Sequence, residues 1–283
     1  GAKPTGAAAE VLLLRPLDES SLRWEALVRP GSKLKPGRRV VVEPGMLEVV
    51  IEEGLPDGGR LVRLETPLSG PEALERFGRI PLPPYLERPD EALDRERYQT
   101  VYARAEGSVA APTAGLHFTP ALLDELRRRG VHVATVLLHV GVGTFRPVEV
   151  EDPDEHPMHA EWYQVTAEAA DVMNRARAAG GRLWAVGTTV TRTLETVVAR
   201  NDVADTTSPA AVRPGSGWTS LYIRPGFRFA AVDRLITNFH LPRSTLLMLV
   251  SAFAGHERTM HAYREAVARR YRFYSYGDAM AVL

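Results

Sequence analysis

Short alternating runs of apolar and polar residues fill the first quarter of the chain. Five such segments lie between residues 9 and 65, at about ten-residue spacing: AEVLLLRP, RWEALVRP, RRVVVEP, MLEVVIEE and GRLVRLET. Pro-Gly and Asp-Gly-Gly turns separate them, and none has a helical period. The pattern predicts a small antiparallel β-barrel or sandwich.

A proline-rich connector marks the predicted domain boundary. IPLPPYLERP, residues 80–89, can form neither a regular helix nor a central strand. One or two helical turns are predicted just before it, at 71–78. We therefore expect a small all-β domain with its connector at 1–90, and an α/β domain at 91–283.

Helical and strand patterns alternate beyond the connector, which favours an α/β domain with a mixed sheet flanked by helices. Helices are predicted at 94–103, between the caps Thr119 and Gly130, between Thr166 and Gly180, from the turn at 187–189, from Pro242 through the apolar run 245–253, and at 258–270. Strands are predicted at 131–140, 182–186, 221–223 and 232–239. The polar stretch 201–217 is expected to be a loop or lid.

Composition narrows the class of protein. Apolar residues make up 45% and charged residues 25%, and no apolar run approaches the roughly 20 residues of a membrane span. The absence of cysteine excludes disulfides and thiolate metal sites, and the sequence predicts no signal peptide. Thirty-five basic and 35 acidic residues cancel, so any nucleic-acid contact must be local. We expect a cytoplasmic protein, and a monomer.

Two histidines lie beside loops suited to ligand binding. His117 ends the Gly-, Pro-, Ser- and Thr-rich stretch 107–118, which is too irregular for a regular element. His139 precedes the glycine turn 141–145 at the C-terminal end of a predicted strand, where α/β sheets bind ligands. Either histidine could carry a proton, or be a hydrogen-bonded structural residue.

Two further polar groups lie at predicted helix N-termini. Gly187-Thr188-Thr189 turns directly from strand to helix, where backbone N–H groups and hydroxyls favour an anion such as a carboxylate or phosphate. The alternative is that these threonines only cap the helix. The other group, at the mouth of the apolar helix, consists of Asn238, His240, Arg243 and Ser244.

The acidic, histidine-containing loop at 151–159 was considered as a metal site, but its pattern does not support one. The spacing of Asp154, His156, His159 and Glu161 is neither a helical pair nor a known zinc pattern. No metal site is predicted.

Basic residues cluster at two places where RNA phosphates could bind. One set surrounds the turn at Pro36 and the other lies on the last helix: Lys33, Lys35, Arg38 and Arg39, then Arg264, Arg269 and Arg270. Each set could equally be a solvated surface.

Five longer motifs resemble one enzyme family: GSVAAPTAGLHFT with LHVGVGTF, HPMHAEWY, VGTTVTRTLE, LITNFHLPRSTLLMLVSAFAG and YRFYSYGDAM. They are similar to S-adenosylmethionine:tRNA ribosyltransferase-isomerases of queuosine biosynthesis. The resemblance implies that the ribosyl group of S-adenosylmethionine is transferred and isomerised onto 7-aminomethyl-7-deazaguanine at the tRNA wobble position, giving epoxyqueuosine, adenine and methionine. S-adenosylmethionine is then a consumed substrate, no cofactor is needed, and tRNA is the partner.

Such chemistry needs a base, an acid and an oriented amine nucleophile. The proton-transfer candidates are His117, His139, His240 and Asp278, in no assigned order. The substrate-binding candidates are Ser108, Thr113, Gly115, Gly141, Gly143, Thr188, Thr189, Arg192, Asn238 and Ser244.

Two rival functions are weighed. A methyltransferase would also use an α/β domain, but the sequence has no glycine-rich turn after a first strand with an acidic ribose ligand. A non-catalytic RNA-binding module would suit a basic barrel, but would not need so many polar loops at one sheet edge.

The start of the chain also carries an expectation. The first strand matches a point several dozen residues into the resembled family, so the opening part of the α/β domain and one barrel strand are expected to be missing. The small β domain would then have five strands where a closed barrel has about six. We expect either a gap at one barrel edge or a neighbouring chain filling it, together with a concavity in the α/β domain.

Overall fold

The chain forms two compact units. The computed structural model describes residues 1–2, 6–56, 58–83, 85–86, 88–105, 107–141, 158, 160–199 and 211–283. The first unit comprises Gly1–Leu82 with Glu87–Asp90, and the second comprises Pro83–Leu86 with Glu91–Leu283.

The first unit is built on a five-stranded antiparallel sheet, as the alternating pattern predicts. Its strands follow the spatial order β1-β2-β5-β4-β3. They are β1 (Glu10–Pro16), β2 (Arg23–Arg29), β3 (Arg39–Glu43), β4 (Leu47–Gly54) and β5 (Arg60–Glu65). Ala26, Ile51 and Val62 are fully buried on one face and form the centre of the core. Burial of this face stabilises the sheet.

This sheet curls without closing into a barrel in the described strand pairing. Register shifts in β1, β3 and β4 have the form of β-bulges, which bend strands. In the strand order β1 and β3 are the two edges. At the β3 edge, Ala2 exchanges two backbone hydrogen bonds of 2.8 Å with Val41. The open edge expected from the sequence is therefore partly paired.

A helix accompanies this sheet, so the unit is not purely β. Helix α1 (Gly70–Phe77) begins at a capping box, in which the Ser69 hydroxyl accepts from the Glu72 N–H and the Glu72 carboxylate accepts from the Ser69 N–H. Gly70 lies against the backbone carbonyls of Ser20 and Ser21, where a Cβ has no room. The helical turns predicted at 71–78 are confirmed.

The second unit contains six helices, one 3₁₀ turn and six strands among its described residues. The helices are α2 (Asp94–Arg97), α3 (Pro120–Arg128), α4 (Ala167–Ala178), α5 (Thr188–Ala199), α6 (Thr245–Ala254) and α7 (His256–Ala268), and the 3₁₀ turn is Thr113–His117. The strands are β6 (Leu137–His139), β7 (Glu161–Val165), β8 (Trp184–Val186), β9 (Gly215–Thr219), β10 (Arg234–Asn238) and β11 (Ala279–Val282).

These strands form two small sheets rather than one. Sheet β11-β10-β8 is mixed, because β8 runs parallel and β11 antiparallel to β10. Sheet β6-β7-β9 is antiparallel. The core packs around both, with Val165, Ala185, Val198, Leu235 and Val250 almost fully buried.

Several predicted boundaries were wrong. The strand predicted at 131–140 keeps only Leu137–His139, and 221–223 forms no strand although Ile223 is buried. The predicted loop 201–217 ends in strand β9, and its residues 201–210 lie outside the described part. Strands β7 and β11 were not predicted. Strands this short follow from pairing with distant partners, which local patterns do not report.

Helix starts were predicted better than helix extents. Thr119 and Thr166 cap α3 and α4 through their hydroxyls, as predicted. The helix expected at 94–103 is one turn, Asp94–Arg97. Helix α6 begins after Ser244 rather than at Pro242, because Arg243 takes a positive φ of 54°. No described helix is long and apolar enough to cross a membrane.

Candidate functional site

An open cleft of about 800 Å³, counting the solvent at its mouth, lies in the second unit. It adjoins the C-terminal ends of the parallel strands β8 and β10, where ligands bind in open α/β sheets. Its wall combines apolar side chains with hydroxyl, amide and imidazole groups. The polar lining residues are Tyr85, Thr113, Thr188, Thr189, Thr237, Asn238, His240, Ser244, Tyr274 and Ser275.

Asn238, the last residue of β10, ties three segments together at this cleft. Its Oδ1 accepts a hydrogen bond from the Thr113 hydroxyl at 2.9 Å. Its Nδ2 donates to the Tyr274 carbonyl at 3.2 Å and lies 3.3 Å from Nε2 of His117. The predicted residues Thr113, His117 and Asn238 are thus brought together, although His117 itself does not line the cleft.

The Tyr274 carbonyl fixes which way this amide points. A carbonyl oxygen only accepts, so the nitrogen of Asn238 must face it, and the same nitrogen then faces His117. Nε2 of His117 is therefore the acceptor. Burial lowers the pKa of His117, and Asp278 opposes that shift in part. The neutral imidazole is the favoured form.

His240 is buried in the cleft wall. Its Nε2 lies 2.7 Å from the Thr237 hydroxyl, and its backbone N–H donates to the Tyr263 hydroxyl at 2.8 Å. Burial lowers the pKa of His240 to about 4. This histidine is therefore neutral at neutral pH, and its burial disfavours protonation.

Two helix N-termini open onto the same cleft. Strand β8 ends at Val186, Gly187 turns the chain with a φ of 106°, and α5 starts at Thr188. Only glycine adopts this backbone conformation without strain. Ser244 caps α6 by accepting from the Leu247 N–H at 3.2 Å.

Four polar cleft residues were missed as site candidates: Tyr85, Thr237, Tyr274 and Ser275. The hydroxyls of Tyr85 and Ser275 share a hydrogen bond, and the Tyr85 and Tyr274 rings lie 4.8 Å apart. Burial raises the pKa of Tyr85, so its phenol remains protonated. Tyr274 and Ser275 belong to the quoted motif YRFYSYGDAM, but Tyr85 lies in the proline-rich connector, where no local signal sets it apart.

Asp278 closes the loop that carries Tyr274 and Ser275. Its carboxylate accepts from the Arg272 backbone N–H at 2.7 Å and from the Arg272 guanidinium at 3.2 Å. These hydrogen bonds lower the pKa of Asp278. The carboxylate is therefore ionised, and it does not line the cleft.

His139 lies on the opposite side of its strand from the cleft. Leu138 lines the cleft wall, and successive side chains of a strand alternate between faces. The His139 ring packs 4.9 Å from that of Trp162, and a Cβ on Gly107 would lie 2.9 Å from its Cε1.

Other substrate-binding candidates occupy structural positions away from the cleft wall. The Ser108 hydroxyl accepts from the Val140 N–H at 3.0 Å and donates to the Ala110 carbonyl at 2.8 Å. Gly115 lies against the Tyr102 hydroxyl, with no room for a side chain. Gly141 lies outside the cleft lining, and Gly143 lies outside the described residues.

Arg192 does not line the cleft and instead forms a buried ion pair. Its Nη1 lies 2.5 Å from the Glu161 carboxylate, and both side chains are at most 5% exposed. Its Nε donates to the Leu221 carbonyl at 2.8 Å. Burial lowers the pKa of Arg192, and Glu161 opposes that shift. The pair joins α5 to the β6-β7-β9 sheet.

The basic candidates differ in how their charges are balanced. Arg39 pairs with Glu48 and Glu65, and Arg269 pairs with Glu265. In the described part of the chain the remaining candidates form no ion pair, and all are exposed: Lys33, Lys35, Arg38, Arg264 and Arg270.

The described residues contain no cluster of His, Asp and Glu that could hold a metal ion. Of the residues considered for such a site, Asp154, His156 and His159 lie outside the described part. Glu161 forms the buried ion pair with Arg192.

Comparison with known proteins identifies close relatives. The family described as "Queuosine biosynthesis protein" matches residues 1–282. The chain is 57% identical over 279 residues to an S-adenosylmethionine:tRNA ribosyltransferase-isomerase of Symbiobacterium thermophilum, covering 99% of this chain and 78% of the relative. It is 54% identical to the enzyme of the same name from Pelotomaculum thermopropionicum, with the same coverage. A crystal structure of S-adenosylmethionine tRNA ribosyltransferase from Thermotoga maritima is 38% identical, covers 99% of this chain and 77% of that chain, and superposes with a TM-score of 0.48.

Proposed function

This chain belongs to the queuosine biosynthesis protein family, and we propose that it has the activity for which its relatives are named, S-adenosylmethionine:tRNA ribosyltransferase-isomerase. The observation that carries the proposal is the high sequence identity to two enzymes of that name across nearly the whole chain. The enzyme transfers and isomerises the ribosyl group of S-adenosylmethionine onto 7-aminomethyl-7-deazaguanine in tRNA. The products are epoxyqueuosine in tRNA, adenine and methionine.

The cleft of the second unit is the proposed seat of S-adenosylmethionine. Its lining is mainly apolar with a few polar groups, as is usual for small-molecule sites. We take S-adenosylmethionine to be consumed as a substrate, without a separate cofactor.

Uncharged aromatic side chains supply a surface for the sulfonium. No Lys, Arg, Asp or Glu is among the described residues that line the cleft. A cation in such surroundings is stabilised by the electron-rich faces of aromatic rings, and Tyr85 and Tyr274 offer two. No carboxylate side chain in the described cleft lining competes with these rings for the sulfonium.

Two cleft residues suit the proton transfers. His240 is neutral at neutral pH because burial lowers its pKa to about 4, so we assign it the abstraction of the acidified proton beside the sulfonium. Its depressed pKa makes it a weak base, so this role requires the imidazole to be held next to the proton that it removes. Tyr85 keeps its proton, because burial raises its pKa, and can donate a hydrogen bond to the departing adenine.

Analysis of the products distinguishes this function from its rivals. Incubation with S-adenosylmethionine and precursor tRNA should release adenine and methionine and leave the added ribosyl carbons on the RNA. S-adenosylhomocysteine as product would instead indicate methyl transfer. Binding of tRNA with no turnover of S-adenosylmethionine would indicate a non-catalytic RNA-binding module.

A further inference from the structure

The N-terminus of α5 differs from an ordinary capped helix. Gly187 precedes the helix and has no side chain to cap it, and its N–H is already donated to the Ile236 carbonyl at 2.8 Å. The Gly187 carbonyl accepts the first helical bond, from the Thr191 N–H at 3.1 Å. The amides of Thr188, Thr189 and Val190 therefore have no partner within the helix, and all three residues line the cleft.

Two threonine side chains with little exposed surface lie at the same place. Thr188 is 6% exposed and Thr189 is 8% exposed, and both line the cleft. Within the described part of the chain, neither hydroxyl forms a hydrogen bond. One turn later in α5, Thr191 satisfies its hydroxyl by donating to the Gly187 carbonyl at 3.1 Å. Both hydroxyls are therefore available to hydrogen-bond a polar group of a ligand in the cleft.

The charges around the N-terminus of α5 indicate which ligand group binds there. The helix dipole places about half a positive charge at the N-terminus of α5, which favours an anion. The described cleft lining offers no Lys or Arg, and His240 is neutral. Free amides, hydroxyls and a helix dipole suffice for one negative charge, whereas a diphosphate or triphosphate would remain uncompensated.

We infer that the N-terminus of α5 binds the α-carboxylate of the methionine part of S-adenosylmethionine, through the free first-turn amides and the hydroxyls of Thr188 and Thr189. This assignment rests on the proposed function. It places the amino-acid end of the substrate at α5, and leaves the rest of the cleft for the sulfonium and the adenosyl group. The same site would hold the carboxylate of the product methionine.

A comparison of two ligands tests the assignment. Binding of S-adenosylmethionine and of decarboxylated S-adenosylmethionine to the purified chain would be measured by calorimetry. We expect a preference of about 10- to 100-fold for the carboxylated ligand, the usual value of hydrogen bonds to a charged group. The double variant Thr188→Val/Thr189→Val should reduce that preference at least about fivefold, while binding of the decarboxylated ligand is unchanged.

Matched variants keep the result interpretable. Thr191→Val removes a hydroxyl from the same helix outside the cleft lining and should leave the preference intact. If the double valine variant does not fold, Thr188→Ser/Thr189→Ser keeps both hydroxyls and should keep the preference, and each single valine variant should reduce it.

Three results would overturn the assignment. Equal affinity of the two ligands would mean that no carboxylate is recognised, and an unchanged preference in the valine variants would place the carboxylate elsewhere. Weaker tRNA binding in those variants with the preference intact would identify the anion as an RNA phosphodiester. Failure of both ligands to bind would instead count against the proposed function itself.

Discussion

Asn238 donates from its amide nitrogen to Nε2 of His117 at 3.3 Å, across 121 positions of the chain. The contact joins the end of β10 to the end of the 3₁₀ turn, and the Tyr274 carbonyl fixes its polarity. His117 is therefore held as the tautomer whose proton is on Nδ1. Protonation of Nε2 would break this hydrogen bond, so the bond favours the neutral ring. It therefore lowers the pKa of His117, as burial does.

Replacing the amide by a carboxylate should reverse this effect. In Asn238→Asp, the new negative charge beside the imidazole favours the protonated ring, so the pKa of His117 should rise by about one to three units. Titration of the His117 ring protons by NMR would measure the shift. Thr113→Val is the control, because it removes the donor to Asn238 Oδ1 without adding a charge. An unchanged or lower pKa in Asn238→Asp would show that the two side chains do not interact.

The buried His240 should make the stability of the fold depend on pH. Its folded pKa of about 4 lies below the usual value of 6.5, so the unfolded chain binds the proton more tightly. The stabilisation is complete above pH 6.5 and is lost as the pH falls from 6.5 towards 4. It amounts to about 3 kcal/mol, on the order of 1.4 kcal/mol per pKa unit.

His240→Gln removes this titration and should flatten the dependence. Urea unfolding at several values between pH 4 and pH 7 would give the free energy of unfolding of both proteins. The difference between wild type and variant should shrink as the pH falls. Parallel curves would mean that His240 is not neutralised by burial. His117→Gln is the companion variant, because burial lowers the pKa of His117 as well.

Local signals predicted some parts of this fold and site well. Thr119 and Thr166 cap helices because a hydroxyl before an apolar stripe is sufficient for that role. The gathering of Thr188, Asn238 and Ser244 at one cleft followed from their places at strand ends and helix starts. Each of these predictions depends on a few adjacent residues.

Other parts depend on contacts between distant segments, which no local pattern reports. Glu161 and Arg192 are 31 positions apart, so the sequence does not show that they pair. From the sequence alone, Arg192 was predicted to bind the substrate, because it lies near the N-terminus of a helix that follows a glycine turn. Tyr85 reaches the cleft through a hydrogen bond to Ser275, across 190 positions. The sequence also does not show which side chains of a three-residue strand face the cleft. It therefore could not predict that His139 points away from the cleft.

The buried ion pair provides a test of a structural role for Arg192. Arg192→Met leaves the Glu161 carboxylate buried without a counterion, which should cost about 3 to 5 kcal/mol of stability. Glu161→Gln/Arg192→Met removes both charges and should recover most of that loss, measured by urea unfolding. Recovery should be incomplete, since Arg192 also donates to the Leu221 carbonyl.

Ligand binding separates the two roles of Arg192. If the role is structural, the double variant should bind S-adenosylmethionine with nearly wild-type affinity at a temperature where it is folded. If the double variant is stable but binds S-adenosylmethionine more weakly, Arg192 contributes to substrate binding.

Salt dependence can locate the surface that binds tRNA. Because the formal charges of the chain cancel, RNA must bind through basic side chains whose charges are not already paired. Lys33, Lys35 and Arg38 meet this condition in the first unit, and Arg264 and Arg270 meet it on or just after α7. Arg39 and Arg269 are left intact in the test, because their removal would free the carboxylates of Glu48, Glu65 and Glu265.

Two charge-neutralised variants should respond differently if only one set contacts RNA. Each phosphate contact contributes about 0.7 to 0.9 to the slope of log affinity against log salt, so glutamine at Lys33, Lys35 and Arg38 should lower the slope by about two units. If RNA instead contacts the second set, glutamine at Arg264 and Arg270 should lower the slope by about 1.5 units. Arg127→Gln/Arg128→Gln is the control, because both arginines pair with acidic residues on α3. If the slope is the same in both test variants as in wild type, the RNA follows another surface and neither set binds tRNA.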